Sequence, residues 1–374
     1  MLMAGVAGAG MRPKAPVGPV NHVGLEERVF HPKAPRNWRG AEEKDLRCTI
    51  WYPAVDAAVE VKQVIGPPDA PLFEAGMASP HAEFAPSLSP FPLVVLSHGT
   101  GGSAEQMAWL GTALAKAGYI AVAVDHPGNN SHAPPTAEGF VLWWERATDL
   151  SEVIDGMLAD KEFGPRIDTS RVAAAGFSIG GYTALAMAGA QTDISDATAL
   201  CRVGGAKDTE ATGGDHGDRD TTVCHVPEMK ALGQNFDEVL RTARKTSGES
   251  LARSGESYRD ARVKAVFAIA PAMGFTLTQE SLHAMKLPVE VVVGSADRIA
   301  VARDNADYIH EYVRGSKETV LPNVGHYPFL DTCTAEGKTK MGVYCADDAS
   351  VNRDAVHAQV TEEAVRFLDR ALRM

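Results

Sequence analysis

The sequence lacks the features that define several large classes of protein. No run of six or more like charges occurs in its 374 residues, no internal repeat is visible, and 36 Lys and Arg stand against 48 Asp and Glu. The formal net charge is therefore −12 at pH 7. Surfaces that bind nucleic acid or an anionic membrane need clustered cations, so this composition argues against both partners.

Long uncharged segments are also scarce. Residues 172–190 contain no charged residue and approach the length of a membrane span. Alanine and glycine dominate this stretch, and its glycines would interrupt a continuous helix. We therefore interpret it as a buried strand, a turn and a helix, and we expect no membrane span.

Cysteine is rare, and none of the five cysteines lies in a C-x-x-C pattern of zinc or redox sites. Cys201 and Cys224 bracket one polar loop, and Cys333 and Cys345 bracket another. Two local pairs of this kind are typical of disulfides formed in an oxidising compartment, which predicts a periplasmic or secreted protein. Unpaired thiols in a cytoplasmic protein are the alternative. Residues 1–11 lack a basic region and are either the remnant of an export signal or a loose tail.

The apolar and charged fractions, 45% and 22%, are those of an ordinary globular protein. Residues 1–40 are rich in Pro, Gly and basic residues and are expected to lie on the surface as an extension. Residues 41–374 then form an α/β domain, with an irregular proline-rich connection over 55–92. The polar segment 191–262 interrupts the alternation of strands and helices in the second part of the chain, which predicts an inserted cap.

Short apolar segments alternate with helical ones from residue 91 onward, which predicts a mainly parallel sheet covered by helices on both faces. The predicted strands are residues 46–52, 93–96, 119–124, 172–175, 263–270, 287–293 and 318–321. The predicted helices are residues 104–117, 144–158, 182–190, 301–313 and 351–372.

A Gly-x-Ser-x-Gly turn, Gly176-Phe-Ser-Ile-Gly180, joins an apolar strand to an Ala-rich helix. A serine on such a sharp turn adopts strained dihedral angles and presents its Oγ above the sheet. The helix that follows directs its free N–H groups and positive dipole end at the serine. This context predicts that Ser178 is a nucleophile.

A serine hydroxyl needs a base and an orienting acid, which should follow it at the ends of later strands. Asp297 comes directly after the strand of residues 287–293, and His326 lies in the loop after residues 318–321. Individually, an aspartate here could cap a helix and a histidine could be an ordinary loop residue. Their order and joint placement favour a Ser-His-Asp triad. Asp331 and Asp304 are the rival acids.

The Gly-rich loop 97–102 follows the strand of residues 93–96 and suits an oxyanion hole, because glycines allow close approach of the backbone to a substrate. It lacks the spacings of phosphate-binding loops. We expect the amides of Thr100 and Ile179 to bind the oxyanion, and His98 to support the loop from beneath. Expected substrate contacts are Gly99, Gly101, His126, Trp144 and Tyr327, although turn formation and packing equally explain His126 and Trp144.

No cofactor is expected. Four residues of an acidic loop could suggest a metal site, but nothing fixes a coordination geometry there, and a solvated loop is the preferred interpretation. These residues are Asp215, His216, Asp218 and Asp220.

Together these motifs resemble the α/β-hydrolase family, in particular bacterial proteins described as predicted dienelactone hydrolases, which are also similar to platelet-activating-factor acetylhydrolases. The resemblance covers roughly residues 45–370 in the family's order. Its motifs are Ser97-His-Gly-Thr-Gly-Gly, Asp125-His-Pro-Gly-Asn-Asn-Ser, Arg146-Ala-Thr-Asp149, Gly176-Phe-Ser-Ile-Gly-Gly, Ala268-Ile-Ala-Pro-Ala, Gly294-Ser-Ala-Asp and Gly325-His.

Two departures from the family patterns bear on activity. True dienelactone hydrolases use a cysteine where this chain has Ser178. The acetylhydrolases carry their acid after the strand that corresponds to residues 263–270, where this chain has Pro271-Ala-Met. The substrates of these two families therefore do not transfer to this chain, and our hypothesis is a serine carboxylic-ester hydrolase for short-acyl or aryl esters, including xenobiotic diesters or polyester fragments. An amidase, peptidase or lactonase with the same triad, and a non-catalytic binding protein on this scaffold, are the alternatives.

Overall fold

A computed structural model describes residues 21–195 and 236–372. The strands are β1 (His22–Phe30), β2 (Leu46–Ala54), β3 (Val61–Ile65), β4 (Phe73–Pro80), β5 (Phe91–Ser97), β6 (Ile120–Val124), β7 (Ile167–Phe177), β8 (Val263–Ile269), β9 (Val289–Gly294), β10 (Lys317–Leu321) and β11 (Thr332–Cys333). The helices are α1 (Ala108–Lys116), α2 (Ala137–Val141), α3 (Arg146–Ala159), α4 (Ile179–Met187), α5 (Phe236–Thr246), α6 (Gly248–Ala252), α7 (Gln279–Ala284), α8 (Ala306–Tyr312), α9 (Ala335–Lys340) and α10 (Arg353–Leu372).

These strands form one sheet in the order β10-β9-β8-β7-β5-β6-β2-β1-β4-β11, with β3 pairing with β4. The six strands from β10 to β6 are parallel, and β2 is antiparallel to β6. The carboxyl ends of the parallel strands therefore meet at one edge of the sheet. The prediction of a mainly parallel sheet is confirmed.

The two faces of the sheet are buried by different helices, which explains why β5 is apolar without interruption. Successive side chains of a strand point to opposite faces. Leu93 and Val95 join a core with α3, α4 and α5, whereas Val94 and Leu96 join a second core with α1 and α10. Neither face of this strand reaches water, so both rows of side chains must be apolar.

Two expectations about irregular segments were wrong. Residues 22–30 form β1, which pairs along its whole length with β2, although we expected residues 1–40 to lie on the surface. Residues 61–65 and 73–80 form β3 and β4, within the connection that we expected to be irregular. These strands lie beyond β2, at the end of the sheet where parallel and antiparallel pairs are mixed, and pairing with a neighbour compensates there for a weak apolar pattern.

The predicted cap is described only in part. Its last third contains α5 and α6, whereas residues 196–235, including the acidic tract, Cys201 and Cys224, lie outside the described residues. The predicted disulfide between Cys333 and Cys345 is present. Among the described helices none is long and apolar enough to cross a membrane.

Candidate active site

Ser178 occupies the one-residue turn between β7, which ends at Phe177, and α4, which begins at Ile179. Its φ of 58° and ψ of −123° are strained for a residue with a side chain. A Cβ on Gly176 would lie 2.3 Å from the carbonyl oxygen of Gly180, and one on Gly180 would lie 1.9 Å from that of Ser97. Both glycines are therefore required for strand and helix to approach closely enough to form this turn.

Ser178, His326 and Asp297 form one chain of hydrogen bonds, as the strand-end argument predicts. The Nδ1–H of His326 donates to Oδ2 of Asp297 at 2.7 Å. With the ring neutral, Nε2 of His326 accepts from the Ser178 hydroxyl at an Oγ–Nε2 distance of 2.9 Å. All three residues are 6% exposed, so little water competes for these bonds.

Asp297 stays ionised despite its burial. Burial alone would raise the pKa of its carboxyl group, but the bond from His326 and the backbone N–H groups of Ile299 and Ala300 outweigh it. The pKa of Asp297 is therefore below its ordinary value. A carboxylate in this state can stabilise a positive charge on His326.

The rival acids have different surroundings. Burial raises the pKa of the Asp331 carboxyl group well above its ordinary value, and among the described residues this group makes no hydrogen bond with His326. Asp304 pairs with Arg303 at 2.8 Å. The structure thus brings Asp297, and neither rival, within bonding distance of His326.

A cavity opens above Ser178 and His326, with an empty volume of about 730 Å³ including its open mouth. Its wall combines a glycine-rich loop with apolar and aromatic side chains, a usual composition for a site that binds small organic molecules. The lining residues are Phe73, Gly99, Thr100, Gly101, Gly102, Gln106, Ser131, Phe177, Ser178, Ile299, His326, Tyr327, Leu330, Met341 and Tyr344.

Three predicted substrate contacts, Gly99, Gly101 and Tyr327, are therefore at the cavity. His126 and Trp144 are not, and this part of the prediction was wrong: both are 0% exposed. His126 is held by hydrogen bonds inside the protein, and Nε1 of Trp144 donates to Ser250 Oγ at 3.1 Å. The position of His126 after β6, or of Trp144 in the turn before α3, did not decide whether these side chains point toward the cavity or into the core.

The amides expected to bind an oxyanion have no competing acceptor. Within residues 21–195 and 236–372, the backbone N–H groups of Thr100 and Ile179 donate no hydrogen bond. Thr100 lines the cavity, and Ile179 is the first residue of α4. The neighbouring amide of Gly101 is occupied, because it donates to Asn129 Oδ1 at 2.6 Å.

A second, fully buried chain of hydrogen bonds lies beneath the glycine-rich loop and was not predicted. Asp149 Oδ2 accepts from Nδ1 of His126 at 2.7 Å, so Nε2 of His126 accepts from Ser97 Oγ at 2.8 Å. Ser97 Oγ accepts in turn from Arg146 Nη2 at 3.3 Å, and the same Nη2 donates to the His98 carbonyl oxygen. Ser97 is 0% exposed, so this second Ser-His-Asp arrangement is inaccessible to a substrate.

The charges in this network are set by burial and by neighbouring arginines. Burial would raise the pKa of Asp149, but Arg36 and Arg39 hold it well below its ordinary value. Burial and the charge of Arg146 lower the pKa of His126 to about 3, so its ring is neutral. The sequence did carry a signal for this network. The motifs at residues 125–131 and 146–149 contain His126, Arg146 and Asp149, and none of these residues belongs to the predicted triad.

The residues 94–336 match the model of the Alpha/beta hydrolase family. The chain belongs to this family. Its sheet order and its strand–serine–helix turn are the structural counterpart of that match.

Among curated proteins, this α/β hydrolase is 32% identical over 109 residues to the cutinase est1 of Thermobifida alba, covering 29% of this chain and 33% of that protein. It is 31% identical over 109 residues to a cutinase of Thermobifida fusca, covering 29% and 31%. The chain thus spans about a third of the length of these relatives.

Its structure is similar to the ferulic acid esterase from Streptomyces cinnamoneus, with a TM-score of 0.59 over 98% of this chain and 94% of the other, at 20% identity. That likeness concerns the fold.

Proposed function

We propose that this α/β hydrolase is a serine carboxylic-ester hydrolase with Ser178, His326 and Asp297 as its catalytic triad. The observation that carries the proposal is the hydrogen-bonded chain from Asp297 through His326 to a strained serine beneath an open, largely apolar cavity. The local similarity to cutinases supports an ester as the substrate.

The reaction begins when Nε2 of His326 takes the proton of the Ser178 hydroxyl while Oγ attacks the ester carbonyl carbon. The resulting oxyanion accepts hydrogen bonds from the amides of Thr100 and Ile179, and the positive end of α4 adds to their effect. His326 is now a cation, and the adjacent carboxylate of Asp297 stabilises it. The bond to the alcohol oxygen then breaks, and His326 returns the proton to that oxygen.

An acyl group is now attached to Ser178, and water removes it by the same steps. His326 accepts a proton from water, the hydroxide attacks the acyl carbon, and the proton goes back to Ser178 as the acid departs. We propose short-acyl or aryl esters as substrates, including xenobiotic diesters and polyester fragments. The mixture of glycine backbone and aromatic side chains in the cavity supports this range.

The proposal extends to three broader features. The protein belongs with the α/β hydrolases that resemble dienelactone hydrolases and platelet-activating-factor acetylhydrolases. It differs from the acetylhydrolases in the position of its proposed catalytic acid, Asp297, which follows β9. For the segment 191–262, of which residues 191–195 and 236–262 are described, we propose a role in limiting substrate size. The enzyme works in the periplasm or outside the cell, which the disulfide between Cys333 and Cys345 supports.

The test is turnover of 4-nitrophenyl acetate and butyrate by the wild type, Ser178→Ala and Ser170→Ala. Ser170 is an exposed serine on the same strand, β7, and serves as the matched control. We expect Ser178→Ala to lower kcat by at least about 10⁴-fold, as the loss of a serine nucleophile does elsewhere. Equal rates in the wild type and Ser178→Ala would refute the proposal.

Two further measurements separate the alternatives. Matched ester and amide substrates with the same acyl group report whether the enzyme prefers esters. A fluorophosphonate probe should label the wild type at Ser178 and leave Ser178→Ala unlabelled. Failure to label the wild type would favour a non-catalytic binding protein.

A further inference from the structure

Part of the cavity wall comes from a loop that sequence reasoning did not connect to the site. Residues 333–345, which we call the wall loop, are closed by the disulfide between Cys333 and Cys345. Met341 and Tyr344 of this loop line the cavity above Ser178. A segment more than 150 residues away in the chain thus reaches the proposed nucleophile.

Tyr344 is linked to the proposed base by a series of aromatic contacts. Its ring meets that of Tyr327 with centroids 5.0 Å apart and planes at 68°. The ring of Tyr327 meets the imidazole of His326 at 5.5 Å and 79°. Edge-to-face pairs of this kind stabilise a defined ring orientation. The Tyr344 ring is therefore held in a definite position relative to the reacting atoms.

The wall loop is attached to the body of the protein at both ends. At its start, Cys333 pairs with Phe73 of β4, and Phe73 itself lines the cavity. The backbone N–H of Thr334 donates to the carbonyl oxygen of Leu72 at 3.0 Å. At its other end, the carbonyl oxygen of Tyr344 accepts from Arg353, at the start of α10.

Arg353 is 6% exposed and also joins the loop to its surroundings. Its Nη1 donates to the carbonyl oxygen of Asp331 at 2.9 Å, and its Nε donates to Asp347 at 2.6 Å. One guanidinium group thus holds the residues just before and just after the disulfide-closed segment. Because the cation is buried and fully oriented, the loop has little freedom to move away from the cavity.

The chemistry of the wall indicates what it contacts. Met341, Tyr344, Tyr327 and Phe73 present thioether and aromatic surface, which favours flat apolar groups over charged or strongly hydrated ones. The backbone loop at residues 99–102 supplies the polar part of the same cavity. An ester with its carbonyl at that loop would therefore place an attached ring against the aromatic wall.

We propose that Met341 and Tyr344 are specificity-determining residues that select esters carrying an aryl group, and that the disulfide between Cys333 and Cys345 keeps them in place. This inference rests on the ester hydrolysis proposed above. It assigns a role to the wall loop that neither the triad nor the oxyanion loop requires.

The test compares three esters that vary the two sides of the bond independently: ethyl butyrate without an aryl group, ethyl benzoate with an aryl acyl group, and phenyl butyrate with an aryl alcohol. Tyr344→Ala and Met341→Ala remove the wall side chains. Val343→Ala is the matched control, because Val343 lies in the same loop but is 53% exposed and does not line the cavity. Hydrolysis is followed by acid release at constant pH.

For Tyr344→Ala we expect kcat/KM on at least one aryl ester to fall about 10-fold relative to ethyl butyrate, mainly through KM, since lost apolar contacts typically weaken binding by this amount. Tyr344→Phe should retain the preference, and Val343→Ala should leave the ratios unchanged. Equal changes on all three esters, or none, would overturn the inference. The proposed ester hydrolysis is tested separately, by the hydrolysis of ethyl butyrate. If Ser178→Ala loses this activity and the wall-loop variants keep it, the proposed function stands whatever the outcome on the aryl esters.

The disulfide is tested with the double variant Cys333→Ser and Cys345→Ser. Circular dichroism first establishes that it is folded, and the wild type treated with a thiol reductant under native conditions carries the test if it is not. In the folded double variant we expect the same selective loss on aryl esters, because the loop loses its covalent closure. Unchanged aryl preference would show that the bridge has no part in specificity.

Discussion

The Nδ1–H of His98 donates to the carbonyl oxygen of Gly99 at 2.6 Å, and the direction of a neighbouring amide follows from this contact. The carbonyl of Gly99 and the N–H of Thr100 belong to one planar trans peptide group and point in opposite directions. Gly102 N–H donates to the same carbonyl at 3.2 Å. Fixing this oxygen beneath the loop therefore directs the Thr100 amide away from it, as an oxyanion donor requires.

His98 is itself fixed from below. Its Nε2 accepts from the backbone N–H of His126 at 3.3 Å, which leaves the ring proton on Nδ1. Burial and the charge of Arg146 lower the pKa of His98 well below its ordinary value, so the ring stays neutral. The buried network is thus a support for the loop and not a second catalytic centre.

His98→Ala should therefore lower kcat while changing KM little. The lost contact misdirects one donor to the oxyanion, and the loss of such a donor costs about 10²–10³ in kcat in other enzymes, which sets an upper bound here. His98→Asn should restore much of the rate, because its side-chain amide can donate to the same carbonyl. The measurement is steady-state kinetics on 4-nitrophenyl butyrate.

The control for general destabilisation is Tyr119→Phe, which removes a hydrogen bond to Asp369 of 2.7 Å in another part of the protein. If that variant lost kcat to the same extent, or if His98→Ala raised KM and left kcat intact, the orienting role of His98 would be wrong.

The two acids that follow β9 and His326 should differ in their effect on rate. Asp297→Asn replaces the carboxylate 2.7 Å from His326 Nδ1 with a neutral amide whose NH2 group favours the wrong tautomer of the ring. It should lower kcat by about 10⁴-fold, as the equivalent change does in serine proteases. Asp331→Asn, at a site that does not contact the ring, should keep kcat within about 3-fold of the wild type. The same nitrophenyl ester assay decides between them, and the reverse order of effects would move the acid to Asp331.

The glycines at the serine turn should be intolerant of a single methyl group. In Gly180→Ala the new Cβ would lie 1.9 Å from the carbonyl oxygen of Ser97, so strand and helix must separate. We expect loss of activity and of several kcal/mol in the free energy of unfolding, roughly as for other backbone clashes in cores.

Gly248→Ala is the matched control, because an added Cβ in α6 would meet no other described residue within 4 Å beyond its chain neighbours and its own helix backbone. It should be neutral or stabilise the protein by about 0.5–1 kcal/mol, since alanine favours the helix. Urea unfolding of both variants measures the difference. Comparable stability of the two would show that the turn can relax.

The contribution of His357 to the free energy of unfolding should fall as the pH drops from 7 to 5. Burial lowers the pKa of His357 to about 4, so the folded protein keeps this ring neutral where the unfolded chain already binds a proton. The unfolded state then holds more protons, and stability is lost from the ordinary histidine pKa of about 6.5 downward until the folded pKa is passed. His126, with a pKa of about 3, acts in the same direction.

Urea unfolding of the wild type and His357→Gln at the two pH values tests this. The loss of stability between pH 7 and pH 5 should be about 1–2 kcal/mol smaller in the variant, because one of the contributing rings is gone. Identical pH dependence in both proteins would contradict the assignment of His357 as a group that is neutral in the folded state.

Much of the proposed site was predictable because each of its parts carries a local signal. The sharp turn at Ser178 needs glycines at fixed positions, and a strand ends shortly before both Asp297 and His326. Parallel strands end at the same edge of a sheet, so chain order alone brought these three residues together.

Other assignments depended on which way a side chain turns and on contacts between distant segments. His126 and Trp144 also follow regular elements, yet both side chains are buried, one against Asp149 and the other against Ser250. The strand at residues 22–30 exists because β2 pairs with it, and Tyr344 reaches the cavity because a disulfide and Arg353 hold its loop there. Local pattern thus established the parallel part of the sheet and the order of the proposed triad residues, because backbone geometry enforces them. The cavity wall and the buried network arose only on folding, because their contacts join residues that no sequence spacing relates.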